Sequence, residues 1–170
     1  AANTLTIAAT QATSVGEVIY TAVNKEGVAL DKGTPVYAKT GTTSGQSVEV
    51  GAADASDSAK MPAIGVLNED LAIDGEGELL LFGHIQGIDT QTPGFSVGDV
   101  IYVADGGGFD NTPPTGEGNI IQNLGIVSKV HLTNGGGLVE GSGRGAATPN
   151  LNDGKIFIGN ASNQSTTATL

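Results

Sequence analysis

Glycine is the residue that most limits what this chain can fold into. It occupies 27 of the 170 positions, about twice its usual share of roughly 7%. A glycine inside a helix costs about 1 kcal/mol relative to alanine, whereas turns, bulges and closely packed strands accept it readily. The glycines separate short apolar and β-branched runs, such as residues 18–23, 63–67 and 100–104. This pattern predicts an all-β protein.

The apolar residues available for a core are mostly small. The chain has four Phe, three Tyr, one Met and no Trp. Such residues build a thin core, which flat sheets or a small barrel accommodate better than helices with wide apolar stripes. We therefore expect a small β-barrel or sandwich with extended N- and C-terminal arms.

One combination of glycine, strand and tyrosine occurs twice. Residues 33–38 (GTPVYA) resemble residues 98–103 (GDVIYV), and an apolar run with an internal glycine follows each, at 64–67 (IGVL) and 124–127 (LGIV). The first glycine permits a sharp entry into the strand, and the internal glycine marks a bulge or a close approach of another backbone. Two such halves would pair into one barrel or sandwich with few free edges.

The sequence suggests three segments. Residues 1–25 form an N-terminal arm or strand segment, and residues 26–140 form a β domain with the duplication at about 30–70 and 95–130. Residues 141–170 are rich in Gly, Asn and Thr and are expected to form a C-terminal extension or fibre linker.

Three further stretches are expected to lack strands. Residues 105–119 have the composition of a long loop, and the three glycines at 135–137 predict a turn. Residues 160–170 have the composition of a polar tail.

The charge balance excludes several classes of partner. The chain has 18 acidic and seven basic residues and a net charge of −11. Binding to nucleic acid or to an anionic membrane surface needs an excess of Lys and Arg.

No apolar run approaches the roughly 18 residues of a membrane-spanning helix. The absence of cysteine excludes disulfides, thiolate metal sites and cysteine nucleophiles.

Three side chains are candidates for catalysis or ligand binding. His84 and His131 each lie in an apolar run, where a paired metal site or a general base is conceivable, but a strand histidine without such a role is the preferred interpretation. Arg144 lies in a glycine-rich loop, where it either clamps a carboxylate at a subunit boundary or is solvated.

The densest group of acidic residues lies between positions 69 and 78. It comprises Glu69, Asp70, Asp74, Glu76 and Glu78. The group lacks the spacing of a calcium-binding loop, so a solvated turn is favoured. The glycine triplets at 106–108 and 135–137 lack the features of phosphate loops, and no nucleophile motif occurs. We therefore expect no catalytic, metal or cofactor site, and a protein that is not an enzyme.

Several segments, spread over most of residues 30–160, resemble one kind of known module. They are 61–71 (MPAIGVLNEDL), 82–90 (FGHIQGIDT), 98–103 (GDVIYV), 114–125 (PTGEGNIIQNLG) and 147–160 (ATPNLNDGKIFIGN). This module is found in structural proteins of tailed bacteriophages, especially marine, cyanophage-like ones. The ending PNLNDGKIFIGN resembles a fibre-type linker that leads into a further trimeric β segment.

The resemblance implies a structural component of a virion, either a tail fibre or a fibre or decoration protein on the capsid surface. It implies a homotrimer that contacts other virion proteins and acts in assembly, stabilisation or host attachment, and it carries over no catalytic residues. An alternative is an adhesin that binds a receptor or host surface glycan. The aromatic residues that could stack on sugars are then Tyr37, Tyr102, Phe109 and Phe157. A fibre-borne depolymerase is a third hypothesis, for which no carboxylate pair can be nominated.

Overall fold

A computed structural model describes residues 16–39, 47–141, 145–146, 150–161 and 165–170. The prediction of an all-β fold is confirmed, because the described part contains β-strands and one three-residue 3-10 helix, Ser58–Lys60, but no α-helix. The strands are β1 (Val18–Asn24), β2 (Pro35–Ala38), β3 (Val48–Ala52), β4 (Ala63–Leu67), β5 (Glu76–Ile88), β6 (Val100–Val103), β7 (Phe109–Asp110), β8 (Ile121–Lys129), β9 (Gly135–Val139), β10 (Gly145–Ala146), β11 (Lys155–Gly159) and β12 (Ser165–Thr169).

Strands β1 to β4 and the first half of β5 close into a five-stranded barrel, which we call the first unit. The strand order is β1-β3-β2-β4-β5, and β5 pairs back with β1. β1 is parallel to β3, and the other pairs are antiparallel. Each of the five strands contributes one buried side chain to a common core, and these are Ala22, Val36, Val50, Leu67 and Leu79.

The second half of β5 begins the second unit, which continues through β9, β8, β6 and β7. β5 is therefore shared, pairing with β1 and β4 through its first half and with β9 through its second half. β7 has only two residues, and the described pairings do not join it to β5. The second unit is thus an open barrel.

The predicted duplication appears in the strand register. Val36 lies opposite Gly65 in the β2–β4 pair, and Ile101 lies opposite Gly125 in the β6–β8 pair. In both pairs the register shifts directly after this position. The pair Val36–Gly65 in the first half therefore corresponds to the pair Ile101–Gly125 in the second half.

The turns that lead into the repeated strands are equivalent as well. The Gly33 N–H donates to the Leu67 carbonyl at 2.8 Å, and the Gly98 N–H donates to the Val127 carbonyl at 2.8 Å. The φ angles of the two glycines are 92° and 93°, in a region that residues with a Cβ rarely adopt. This explains why glycine begins both copies.

The internal glycine of each copy lies where another backbone approaches closely, as predicted. A Cβ placed on Gly65 would lie 2.5 Å from the Leu80 carbonyl oxygen. A Cβ on Gly125 would collide with the Leu138 carbonyl oxygen.

The prediction of a turn at the three glycines 135–137 is wrong, because they form the start of β9. A Cβ on Gly135 would lie 2.7 Å from the Ile88 carbonyl oxygen, and one on Gly136 would lie 2.6 Å from that of Ile85. The glycines therefore let β9 approach β5.

Two other expectations about strands need correction. The predicted loop at 105–119 contains β7, and the predicted polar tail contains β12, which pairs with β11 as a separate two-stranded sheet.

Most of the predicted N-terminal arm, residues 1–15, lies outside the described residues. β1, from the same segment, belongs to the barrel. The three-segment division of the chain stays a prediction.

The two units pack through the outer face of the barrel. Val66 and Leu80 lie on this face and are buried in the core of the second unit. A further contact joins Ala63 in β4 to the buried side chain of Gln122 in β8.

The described helical segment is not long and apolar enough to cross a membrane.

Candidate functional site

The two histidines belong to different local networks. His84 Nε2 lies 2.8 Å from Ser128 Oγ, and its Nδ1 lies 3.0 Å from the Gln86 amide nitrogen. His131 Nδ1 accepts hydrogen bonds from the backbone N–H groups of residues 133 and 134. The paired-histidine metal site considered from the sequence is therefore not assembled by these contacts.

The contact between Ser128 and His84 has the spacing of a nucleophile and its base. A base would need an unprotonated Nε2 toward the serine. The Gln86 amide nitrogen donates to Nδ1, so the ring proton is assigned to Nε2, which then donates to Ser128. In this arrangement the imidazole does not activate the serine. This pair could not be recognised from the sequence, because its members lie 44 positions apart.

The acidic residues of this cluster bind different partners in the fold. Glu69 accepts from the Glu78 N–H at 2.8 Å, and Asp70 accepts from the Lys32 N–H at 2.7 Å. Asp74 forms an ion pair with Lys25 at 2.8 Å. Among the described residues, no group of three or more acidic or histidine side chains is placed to hold a metal ion. All five acids are exposed, but Glu76 and Glu78 lie in β5, so the expected solvated turn is wrong for these two residues.

The remaining candidates from the sequence do not meet at one site. Arg144 lies outside the described residues. The glycines at 106–108 form the connection from β6 to β7 and all have positive φ. The positive φ angles explain why glycine occupies all three positions, so a phosphate-binding role is not needed to explain the triplet.

The four aromatic residues considered for sugar binding are also separated. Tyr37 and Phe109 pack against the core, and the Phe109 ring lies 5.8 Å from that of Phe95. Tyr102 lies in β6 and Phe157 in the separate β11–β12 sheet. Two of the four rings are therefore engaged in packing against the core.

The interior of the second unit contains a small apolar cavity. Its lining includes Val66, Ile85, Ile101, Leu124 and Val139, and its volume is about 20 Å³. A cavity that holds a single water has a volume of roughly 10–15 Å³, counted as the space open to the centre of the water. The cavity is therefore too small for an organic ligand.

One exposed surface combines apolar side chains from both units. Phe82 and Leu138 line a common groove with His84 and are 52% and 50% exposed. Val18 lies opposite Phe82 in the β1–β5 pair, and Ile126 lies opposite Leu138 in the β8–β9 pair. We call Val18, Phe82, His84, Ile126 and Leu138 the Phe82–Leu138 face. This face could not be predicted from the sequence, because alternation identifies the two sides of a strand but not which side another element covers.

The C-terminal hairpin forms a second exposed feature. Ile156 and Ile158 in β11 are 38% and 43% exposed. The base of the hairpin is held to the loop before β8, where the Asn150 amide donates to the Pro114 carbonyl and Lys155 lies 3.8 Å from Glu117.

Asp54 joins the loop after β3 to the turn after β6. Its Oδ1 accepts from the Ser56 N–H and hydroxyl at 2.9 and 2.6 Å, and from the Gly106 N–H at 2.9 Å. Partial burial would raise the pKa of this carboxyl, but these hydrogen bonds and the Lys60 charge hold the pKa below its ordinary value.

Comparisons with models of known protein families, with curated proteins and with solved structures found no match. The geometry itself offers extended exposed surfaces.

Proposed function

We propose that this protein is a structural component of a bacteriophage virion, a tail fibre or a capsid-surface fibre or decoration protein. It acts as a homotrimer on the particle surface, in assembly, stabilisation or host attachment. The sequence resemblance motivates the proposal, and the doubled, glycine-rich β architecture is compatible with it.

The observation that carries the proposal is the C-terminal hairpin. β11 and β12 form a sheet of their own, and Ile156 and Ile158 are exposed. An isolated two-stranded sheet is marginally stable in water, so this hairpin would gain stability from strands of neighbouring subunits. It occupies the segment that resembles a linker into a trimeric β segment.

The sugar-binding alternative receives less support. It depends on exposed aromatic rings, and two of the four that the sequence offers, Tyr37 and Phe109, pack against the core.

Immunogold labelling tests the proposal. An antibody raised against the purified protein is applied to purified particles produced by the genome that encodes this chain, with particles of an unrelated phage as the control. We expect gold on the capsid surface or the tail of the first particles only. Unlabelled particles, in a preparation where an antibody to the major capsid protein labels normally, would contradict the proposal.

A further inference from the structure

The two units carry equivalent apolar pairs on their outer faces. In the first unit, Val66 of β4 lies opposite Leu80 of β5. In the second unit, Ile126 of β8 lies opposite Leu138 of β9. Val66 and Ile126 each follow the internal glycine of their copy, so the two pairs occupy the same place in the repeated fold.

Only one of these pairs is covered. Val66 and Leu80 are 5% and 0% exposed, because the core of the second unit packs on them. Ile126 and Leu138 are 36% and 50% exposed. A surface that is buried by a copy of the same unit in one half of the chain is therefore open in the other half.

The open pair belongs to a larger surface. Leu138 shares its groove with Phe82, and Phe82 pairs across the strands with Val18, which is 52% exposed. A contiguous apolar surface on a folded chain is typical of a contact with another macromolecule.

We propose that the Phe82–Leu138 face is the contact between identical subunits of this protein, arranged around a closed rotation axis. The inference rests on the proposed assembly of identical subunits and identifies its surface. Its basis is that the chain already buries the equivalent face, Val66 and Leu80, against a copy of the same unit.

The closed barrel determines how the subunits meet. The second unit accepts Leu80 because its barrel is open. The pairing of β1 with both β3 and β5 closes the first unit, and its own side chains fill the interior. It therefore cannot accept Leu138 of another subunit as the second unit accepts Leu80. The contact between the two units of one chain therefore cannot be repeated from subunit to subunit, which would give an open filament wherever the rotation does not close. The faces instead meet one another near the axis.

The polar groups of the surface are compatible with such a contact. His84 is hydrogen-bonded to Ser128 and Gln86 within the subunit, and Glu17 and Glu140 also line the groove. Each copy carries a net charge of −11, so like charges oppose association and salt screens them. We therefore expect the oligomer to be more stable in 0.5 M than in 0.05 M NaCl.

Sedimentation of matched variants of the full chain tests the inference. Leu138→Glu places a charge in the proposed contact. Leu132→Glu makes the same change at a leucine that is 52% exposed in the turn between β8 and β9. We expect Leu138→Glu to weaken association by about 30-fold or more, as at a central interface residue. Leu132→Glu should sediment like the unaltered protein.

Cysteine variants cover the case in which Leu138→Glu does not fold. The chain has no cysteine, so Leu138→Cys and Leu132→Cys each introduce one thiol while remaining apolar. We expect a maleimide to label the Leu138→Cys thiol much more slowly than the Leu132→Cys thiol. Dilution below the dissociation constant should remove this difference.

The other outcomes overturn the inference in distinguishable ways. An oligomer that Leu138→Glu leaves intact would place the subunit contact elsewhere and leave the proposed assembly standing. If the unaltered protein is monomeric at all concentrations, both the proposed contact and the proposed homotrimer are wrong. Immunogold labelling of particles tests the virion location separately. Protection of the Leu138→Cys thiol only when phage particles are added would assign the face to another virion protein.

Discussion

Gln122 makes hydrogen bonds from both ends of its side-chain amide to one residue, Ala63. Its Oε1 accepts from the Ala63 N–H at 2.8 Å, and its Nε2 donates to the Ala63 carbonyl at 2.7 Å. The two residues lie 59 positions apart and belong to different units. The amide thus pairs with β4 as the backbone of a neighbouring strand would.

Loss of this amide should destabilise the whole chain. Gln122→Ala leaves the Ala63 N–H and carbonyl without these partners in a buried environment, and we expect a decrease of about 3 kcal/mol in the free energy of unfolding. Urea denaturation followed by circular dichroism measures it. The control is Gln91→Ala at an exposed position, which should change the free energy by less than about 0.5 kcal/mol. Equal midpoints for the two variants would show that the Gln122–Ala63 contact contributes little.

The internal glycines should not tolerate a side chain. In Gly125→Ala the new methyl group would collide with the Leu138 carbonyl oxygen, and β8 and β9 would have to separate. We expect a loss of about 3 kcal/mol, measured by thermal denaturation. The matched control is Gly27→Ala, where a Cβ meets no atom within 4 Å. A Gly125→Ala protein as stable as Gly27→Ala would refute the requirement for close approach.

Asn24 should be essential for the end of the barrel. Its amide nitrogen donates to the Val28 carbonyl at 2.9 Å and the Leu71 carbonyl at 3.2 Å, and its Oδ1 accepts from the Glu26 N–H at 2.8 Å. We expect Asn24→Ala to cost about 3 kcal/mol, because one buried and two partly buried hydrogen bonds are lost together. Asn24→Asp keeps the acceptor but loses the donor, so it should be destabilised too.

Chemical denaturation of both variants measures these losses, with the exposed Asn134→Ala as the control. If Asn24→Asp were as stable as the unaltered protein, the donation to the carbonyl groups would be unimportant.

Asp54 should make stability depend on acidic pH. Because its pKa is lower in the folded chain than in the unfolded chain, its contribution is fully present above the unfolded pKa of about 3.9. The contribution is lost as the pH falls through the folded pKa. Asp54→Ala should therefore be less stable at pH 7, by about 1 kcal/mol, and the difference from the unaltered protein should shrink below pH 4.

Denaturation of both proteins at a series of pH values measures this difference. Asp153→Ala, an exposed aspartate in the turn before β11, is the control. A difference between Asp54→Ala and the unaltered protein that stays constant down to pH 2 would rule out the proposed linkage.

The sequence revealed those features of the fold that depend on local backbone chemistry. The entry turns at Gly33 and Gly98 need positive φ, and the internal glycines need space, so both copies of the repeat retain a recognisable pattern. The glycines of β9 were misleading because glycine also marks turns, and only the approach of β5 distinguishes the two cases.

The exposure of the Phe82–Leu138 face could not be predicted for a related reason. Val66 and Ile126 occupy equivalent positions, yet one is buried and the other is exposed. The difference comes from the second unit, which packs over the first. Closure of the barrel by the parallel pairing of β1 with β3 is likewise a long-range event without a local signal.

The single strand β5 has 13 residues and contributes Leu79 to one core and Ile85 to the other. Neither half of the protein therefore has a complete set of strands that it does not share. A protease that cuts β5, or a mutation that frays one end of it, weakens both cores at once. Heat should consequently melt the molecule in a single sharp transition, and its degradation should be all-or-none, without a surviving fragment that corresponds to one copy of the repeat.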